Sequence, residues 1–235
     1  MIQPTATSGV PLAMDFAEIR SRLAALDTAC LADADKTIRA LDPAIRPIRT
    51  DLKLVGRAHT VTCRDDFLGV IRALQQAEPG DVLVVDGQGG SKALAGELFA
   101  TECARKGLAG LVIDGGVRDT ATLRTLDLPV YARFVHPVSG TAARIAKTQT
   151  TIRCGGATVA PGDIVFGDAD GVIVATASQF ARLIPTAEDI QRIEARALAA
   201  MHAGTSLLDL LTFDDHYAAT AAGRPSRLAF KTVPD

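Results

Sequence analysis

The segment Ile113-Asp114-Gly115-Gly116-Val117-Arg118-Asp119 ends an apolar run on a cation and a carboxylate that are neighbours in the chain. If the run is a buried strand, both charges stand at its carboxyl end, where open α/β sheets place their ligands. The planar fork of Arg118 suits a carboxylate or keto oxygen, and Asp119 suits a hard divalent cation. Such a pair also serves as a plain surface ion pair or helix cap, so alone it does not define a site. Upstream, Gly96-Glu97-Leu98-Phe99-Ala100 reads as a helix that opens on a glycine. Its first N–H groups would suit a carboxylate, with Glu97 beside it, although a plain helix with one packing glycine is the competing reading. Asp86-Gly87-Gln88-Gly89-Gly90 lies between an apolar run and a helix, a setting in which backbone N–H groups receive anions. It does not complete a dinucleotide fingerprint, which needs glycine where Lys92 stands, and there is no Walker loop.

The elements that must position these residues follow from apolar spacing. Asp15 to Leu31 predicts a helix, through Phe16, Ile19, Leu23 and Leu26. Ala34 to Asp51, with Pro43 and Pro47, reads as loop. Strands are expected over 55–63, 82–85, 108–113 and 128–134, with helices ending near Ala77 and Lys106 and a short one over 118–126. This alternation points to parallel strands joined by crossovers. Short strands at 150–154, 158–159, 164–166 and 172–175 favour hairpins, and Ser178 to His202 predicts a long helix interrupted at Pro185. Pro79-Gly80-Asp81-Val82-Leu83 with Asp86 and Gly89 is echoed by Pro161-Gly162-Asp163-Ile164-Val165 with Asp168 and Gly171, one turn-and-strand solution used twice. The organisation expected is a single domain over 1–235: an N-terminal helical segment at about 15–31, an α/β core at about 55–175, and C-terminal helices at about 178–212.

The chain has 235 residues, 25 Lys plus Arg against 27 Asp plus Glu, so no field of one sign recruits nucleic acid or an anionic membrane. Cys30, Cys63, Cys103 and Cys154 lie far apart, which argues for reduced, buried thiols rather than a zinc site or a disulfide framework. With no signal-like N-terminus and no long apolar run, a cytoplasmic location is expected. His59 and His136 read as packing or hydrogen-bonded imidazoles, Cys103 as a core residue, and Lys92 as a minor candidate for Schiff-base chemistry.

Val85-Asp86-Gly87-Gln88-Gly89-Gly90, Ala93-Leu94-Ala95-Gly96-Glu97, Gly107-Leu108-Ala109-Gly110, Ile113-Asp114-Gly115 with Val117-Arg118-Asp119, and Pro161-Gly162-Asp163 with Asp168-Ala169-Asp170-Gly171-Val172 are in order and compatibly spaced. Over roughly Val55 to Ala175 the chain thereby resembles the family of 4-hydroxy-4-methyl-2-oxoglutarate aldolases and the related regulator of ribonuclease activity A. The resemblance implies a compact swivelling-domain-like α/β/α sandwich with a mixed sheet, assembled as a homotrimer or homohexamer with sites near subunit interfaces. It also implies a class II enzyme in which Mg or Mn, not a Schiff-base lysine, assists cleavage of a 2-oxo acid substrate to pyruvate, with oxaloacetate decarboxylation as a related activity. By the same resemblance, the N–H groups of Gly96, Glu97, Leu98 and Phe99 bind substrate, Arg118 contacts its oxygens, Asp119 is the metal ligand, and Glu97 fills a position where the family carries Asp or Glu.

The chemistry agrees with that transfer, because both reactions leave an enolate that a Lewis acid and Arg118 can stabilise. The base for the C4 hydroxyl proton is left to a metal-bound hydroxide or an acidic side chain of a neighbouring subunit. The chain departs from its relatives in a Gly-rich loop one residue shorter and in having no C-terminal acidic motif; Glu188, Asp189, Glu194, Asp214 and Asp215 are the candidates there. The alternative function is a non-catalytic regulator that binds ribonuclease E or another protein partner. A third, a menaquinone methyltransferase, lacks the acidic residue expected behind a Gly-rich loop in a nucleotide-type cofactor fold.

Overall fold

A computed structural model describes residues 14–231. Its helices are α1 (Phe16–Ala24), α2 (Thr28–Ala34), α3 (Leu68–Gln76), α4 (Glu97–Arg105), α5 (Thr120–Leu123), α6 (Ala177–His202), α7 (Leu207–Leu210) and α8 (Phe213–Ala221). Its strands are β1 (Arg39–Ala40), β2 (Arg46–Pro47), β3 (Leu54–Thr62), β4 (Asp81–Asp86), β5 (Ala93–Ala95), β6 (Gly110–Val117), β7 (Val130–Val135), β8 (Ile152–Cys154), β9 (Ala157–Val159), β10 (Ile164–Gly167) and β11 (Val172–Ala175).

The β-branched runs pair as their alternation with helices requires. β3, β4, β6 and β7 are parallel neighbours, β10 and β11 add antiparallel beyond β3, and β1 and β2 close the two edges. The result is the expected α/β class with a mixed sheet. Strand alternation then divides the core. On one face Val61, Leu83, Val85, Leu111 and Ile113 meet α3 and α4, and farther along Phe166 and Ile173 meet Ile19, Leu23 and Phe180 of α1 and α6. On the other face Val82, Val84, Val112 and Tyr131 meet Ile152, Cys154 and Val159 of the β8–β9 hairpin, so this outer layer is hairpin rather than helix. The Tyr131 hydroxyl donates to Asp168 O at 2.9 Å, tying β7 to the β10–β11 turn across a curled sheet.

Several elements differ from the sequence reading. The first helix is two, because Lys53 Nζ donates to Leu26 O at 2.6 Å and Asp27 Oδ1 at 2.9 Å and holds a break between α1 and α2. The loop at 34–51 contains both edge strands, and Pro47 is tolerated there because an edge position need not donate. β6 continues through Gly115 and Gly116 to Val117. α6 runs unbroken through Pro185, its buried face set by Phe180, Ile184 and Ala187 on either side of the proline. The repeated Pro-Gly-Asp turn is real: Asp81 Oδ2 accepts Glu78 N–H at 2.9 Å, Asp163 Oδ2 accepts Ala160 N–H at 3.1 Å, and Gly80 and Gly162 both have φ near +80° (87° and 81°). Among the described residues no helix is long and apolar enough to cross a membrane.

Candidate active site

The ends of β5 and β6 lie side by side, Ala95 paired with Val117, and Arg118 N–H donates to Ala95 O at 3.0 Å. This register brings Gly96 against Arg118 and Asp119. Gly96 is the N-cap of α4, and a Cβ there would overlap Asp119 Oδ2 and lie 2.9 Å from Arg118 Cγ. Close approach, not an unusual dihedral, is therefore what requires glycine, because its φ of −161° is open to any residue.

Asp119 follows the strand with φ +57° and ψ +38°, the left-handed region that Asp tolerates better than most side chains. Consecutive strand side chains point to opposite faces. The turn at Asp119 breaks that alternation, and both Arg118 and Asp119 line one pocket of about 150 Å³. Asp119 Oδ2 accepts Glu97 N–H at 3.1 Å and lies 3.5 Å from Arg118 Nε. A carboxylate so placed complements the positive end of α4. The first intrahelical bond is Ala100 N–H to Gly96 O at 3.1 Å, so the N–H groups of Leu98 and Phe99 have no acceptor within the helix. Of the backbone donors expected to bind substrate, Glu97 N–H is already occupied by Asp119. The Glu97 carboxylate sits outside the pocket lining, where it accepts the Thr122 hydroxyl at 2.9 Å.

The remaining wall is apolar. Leu94, Leu98 and Phe99 face Phe67, whose ring meets Phe99 edge-on at 5.7 Å between centroids, and Ser139 completes the rim. Phe67 and Ser139 were not found by sequence reasoning. They arrive through Asp66, which is buried and accepts Leu68 N–H, the Thr141 hydroxyl and the N–H groups of Ala143 and Arg144 at 2.7–3.2 Å. Burial works to raise the Asp66 pKa, but these bonds together hold it below the ordinary carboxylate value. Asp65 accepts Ser91 and Lys92 N–H at 2.7 and 2.9 Å and so fixes the Gly-rich loop ahead of β5.

Asp119 Oδ1 accepts no hydrogen bond among the described residues, and no group of three His, Cys, Asp or Glu side chains there could hold a metal. One carboxylate with water completing the shell fits magnesium or manganese rather than a zinc cage.

The other sequence candidates lie elsewhere. Lys92 does not line the pocket. Glu188 pairs with Arg22 at 2.6 Å, Asp189 with Arg192, and Glu194 is 3.7 Å from Cys30 Sγ, while Asp214 and Asp215 sit in the first turn of α8. His136 Nδ1 accepts Val138 N–H at 3.1 Å, a turn contact. His59 is buried with Nε2 unpartnered, and Cys103 is a core thiol pushed by burial to a pKa of about 12. A second acidic pair, Asp86 and Asp114, lies side by side on β4 and β6. Asp114 is bound by Arg133 and by Gly155 N–H at 2.6 Å, and burial with the nearby Asp114 charge raises the Asp86 pKa.

Residues 28–174 match the family described as RraA-like: Aldolase/RraA. The chain belongs to this family. The RraA-like region starts with α2 and ends within β11, so it contains the whole pocket and leaves α6 to α8 outside. A relative from Halalkalibacterium halodurans is 33% identical over 168 residues, 71% of this chain and 80% of its own length. One from Alkalilimnicola ehrlichii is 37% identical over 139 residues, 59% and 86% of the two chains. Both carry the name "Putative 4-hydroxy-4-methyl-2-oxoglutarate aldolase". The solved structure of the RNA-processing inhibitor RraA from Thermus thermophilis superposes with a TM-score of 0.59 at 29% identity, covering 63% of this chain and 91% of that one.

Proposed function

We propose that this RraA-like protein is a divalent-metal-dependent carbon–carbon lyase that cleaves a 4-hydroxy-2-oxo acid, such as 4-hydroxy-4-methyl-2-oxoglutarate, to pyruvate, with oxaloacetate decarboxylation at the same site. The observation that carries this reading is the convergence of Arg118, Asp119 and the open first turn of α4 on one pocket. Each reaction leaves negative charge on the C2 oxygen of a pyruvate enolate, and fixed donors aimed at that charge are the main catalytic requirement.

In this reading the N–H groups of Leu98 and Phe99 hold the substrate carboxylate, and the Arg118 guanidinium binds the C2 oxygen where charge develops. Asp119 would hold Mg or Mn, and such a cation when bound supplies Lewis-acid stabilisation to the same oxygen. Gly96 lets these groups approach, and Glu97, held by Thr122 outside the pocket lining, would orient water beside it. Leu98 is 73% exposed at the pocket mouth, which supports burial against a neighbouring copy in a homotrimer or homohexamer.

The test is pyruvate release from 4-hydroxy-4-methyl-2-oxoglutarate and from oxaloacetate, with Mg, with Mn and with excess chelator. The expected result is metal-dependent release that Arg118→Ala lowers by about 10²-fold or more, the usual cost of losing one donor to a developing oxyanion. No release from either acid with any metal refutes the reading. The name of the Thermus thermophilis neighbour favours a second function, regulation through a bound ribonuclease, and capture of ribonuclease E by the inactive protein would then be the deciding result.

A further inference from the structure

We propose that the arm formed by α7 and α8 docks in the groove between α3 and residues 145–150 of a second copy of this chain. The proposal does not depend on the lyase reading of the pocket. Ala197 is the last buried residue of α6, and the arm follows it. α8 has nine residues and buries none of them, although a helix that short does not hold in water without packing. Phe213 and Tyr217, one turn apart, present their rings together at 5.7 Å between centroids, and both are exposed, as are Leu207 and Leu208. His216 hydrogen-bonds Ser226 at 3.0 Å, so the segment after α8 meets the helix there while the aromatic pair stays open. From Ala197 to Gly223 the chain carries Asp209, Asp214 and Asp215 and no lysine or arginine; Arg224, Arg227 and Lys231 follow beyond the helix.

The groove has the complementary make-up. Leu68, Ile71 and Ile145 give it apolar walls, with Ile145 97% exposed, and its charged lining residues are Arg72 and Lys147, with no acid. A cavity of about 150 Å³ admits one benzene ring, so a groove of about 590 Å³ has room for both rings of α8. Its shape is set in advance: Asp66 holds the N–H groups of Ala143 and Arg144, and the Thr148 hydroxyl donates to Gln76 Oε1 at 2.7 Å. An amphipathic helix laid in such a groove places Asp214, three residues from Tyr217, towards the two cations. The other exposed apolar patch fits less well, because Leu98 stands beside the carboxylates of Glu97 and Asp119, which repel an acidic helix. In one chain the groove is open and α8 is exposed, so a second copy supplies the match. Each copy then offers one arm and one groove, and such a head-to-tail contact closes into a ring.

The test is disulfide trapping in the full-length protein, whose four native cysteines are buried. A chain carrying both Ile145→Cys and Tyr217→Cys is oxidised with diamide and run on a non-reducing gel. The expected result is a ladder of linked dimers and higher species, while Ile145→Cys alone and Tyr217→Cys alone link at least about tenfold more slowly. Adding Lys147→Glu should slow the linkage by about tenfold or more, and adding Asp214→Lys to that variant should restore it. All four positions are exposed, so the fold is retained in every variant. Absence of linkage overturns the proposal. So does a doubly substituted chain that links only within itself, which puts the arm in its own groove, or Tyr217→Cys linking alone as fast as the double variant, which pairs arm with arm. A rate indifferent to Lys147→Glu overturns the charge match and with it the choice of this groove.

Discussion

Replacing Gly96 with alanine adds a methyl group at the tightest contact of the candidate site. The new Cβ overlaps Asp119 Oδ2 and lies 2.9 Å from Arg118 Cγ, about 0.6 Å inside the ~3.5 Å at which two carbons attract best. The dihedral of Gly96 is extended, so the backbone contributes no strain and the whole cost falls on those two side chains. Asp119 must swing away and give up its bond to Glu97 N–H. The two side chains are 42% and 34% exposed, so that bond weighs about 1 kcal/mol, less than the 1.5–3 kcal/mol of a buried charged one. Overpacking adds a similar amount. The expected loss of stability is therefore about 2 kcal/mol, read as a lower urea midpoint.

Activity should fall further than stability. A shift of about 1 Å in a reacting group costs roughly 10²-fold, or ~2.7 kcal/mol at 1.36 kcal/mol per decade. The assay is kcat/KM for pyruvate release beside the urea transition, with Gly156→Ala as control. Gly156 has φ +76° and no atom within 4 Å of a built Cβ, so its substitution costs stability through the backbone alone and leaves kcat/KM unchanged. Wild-type kcat/KM together with a wild-type urea midpoint in Gly96→Ala would refute the reasoning.

Asp119→Asn keeps both a side chain suited to positive φ and an acceptor for Glu97 N–H, so its thermal midpoint should match the wild type while magnesium binding by calorimetry is lost; Asp119→Ala should lose the metal and also about 1 kcal/mol of stability. His59 is held below its usual pKa by burial, partly offset by Asp81 at 3.7 Å, with Lys106 opposing its charge and Glu78 favouring it. The unfolded chain therefore binds the extra proton first: stability is unaffected well above ~6.5 and falls as pH drops through that value towards the folded pKa. Urea midpoints at pH 8 and pH 5.5 should show this slope in the wild type and a flatter one in His59→Leu. Asp66→Ala leaves four donors without their acceptor and should cost on the order of 3 kcal/mol in urea unfolding, with Asp66→Asn milder.

Much of the candidate site was legible because its signals are local. An apolar run ending on Arg118-Asp119 and a helix opening at Gly96 are each readable within a few residues, and the repeated Pro-Gly-Asp turn closes through contacts three residues apart. The Asp65-Asp66 anchor was not legible. Apart from Leu68 N–H, its donors come from Ser91, Lys92, Thr141, Ala143 and Arg144, 26 to 78 positions away, and nothing in the local sequence distinguishes it from any charged turn. Phe67 and Ser139 were missed for the same reason, since Ser139 reaches the pocket only through an isolated bridge to Ala93. β5 carries no strand signal of its own because three apolar residues have no period, and its pairing with β6 decides their conformation. Pro185 misled in the opposite direction: burial of Phe180, Ile184 and Ala187 outweighs the lost N–H, as tertiary packing generally outweighs propensity.

The same division explains why the pocket needs a strained residue. A strand delivers successive side chains to opposite faces, so a cation and a carboxylate adjacent in sequence cannot normally serve one ligand from a strand end. The left-handed turn at Asp119 removes that obstacle at modest cost, and Asp is the charged residue that bears it best. Once turned, its Oδ2 is fixed by Glu97 N–H from a helix 22 residues earlier, while Asp119 and Arg118 both line the same cavity. Gly96 is then obligatory because any side chain would occupy the place of that carboxylate. The glycine, the positive φ and the Arg-Asp order are thus three consequences of one requirement, that opposite charges line a single small pocket beside a helix N-terminus.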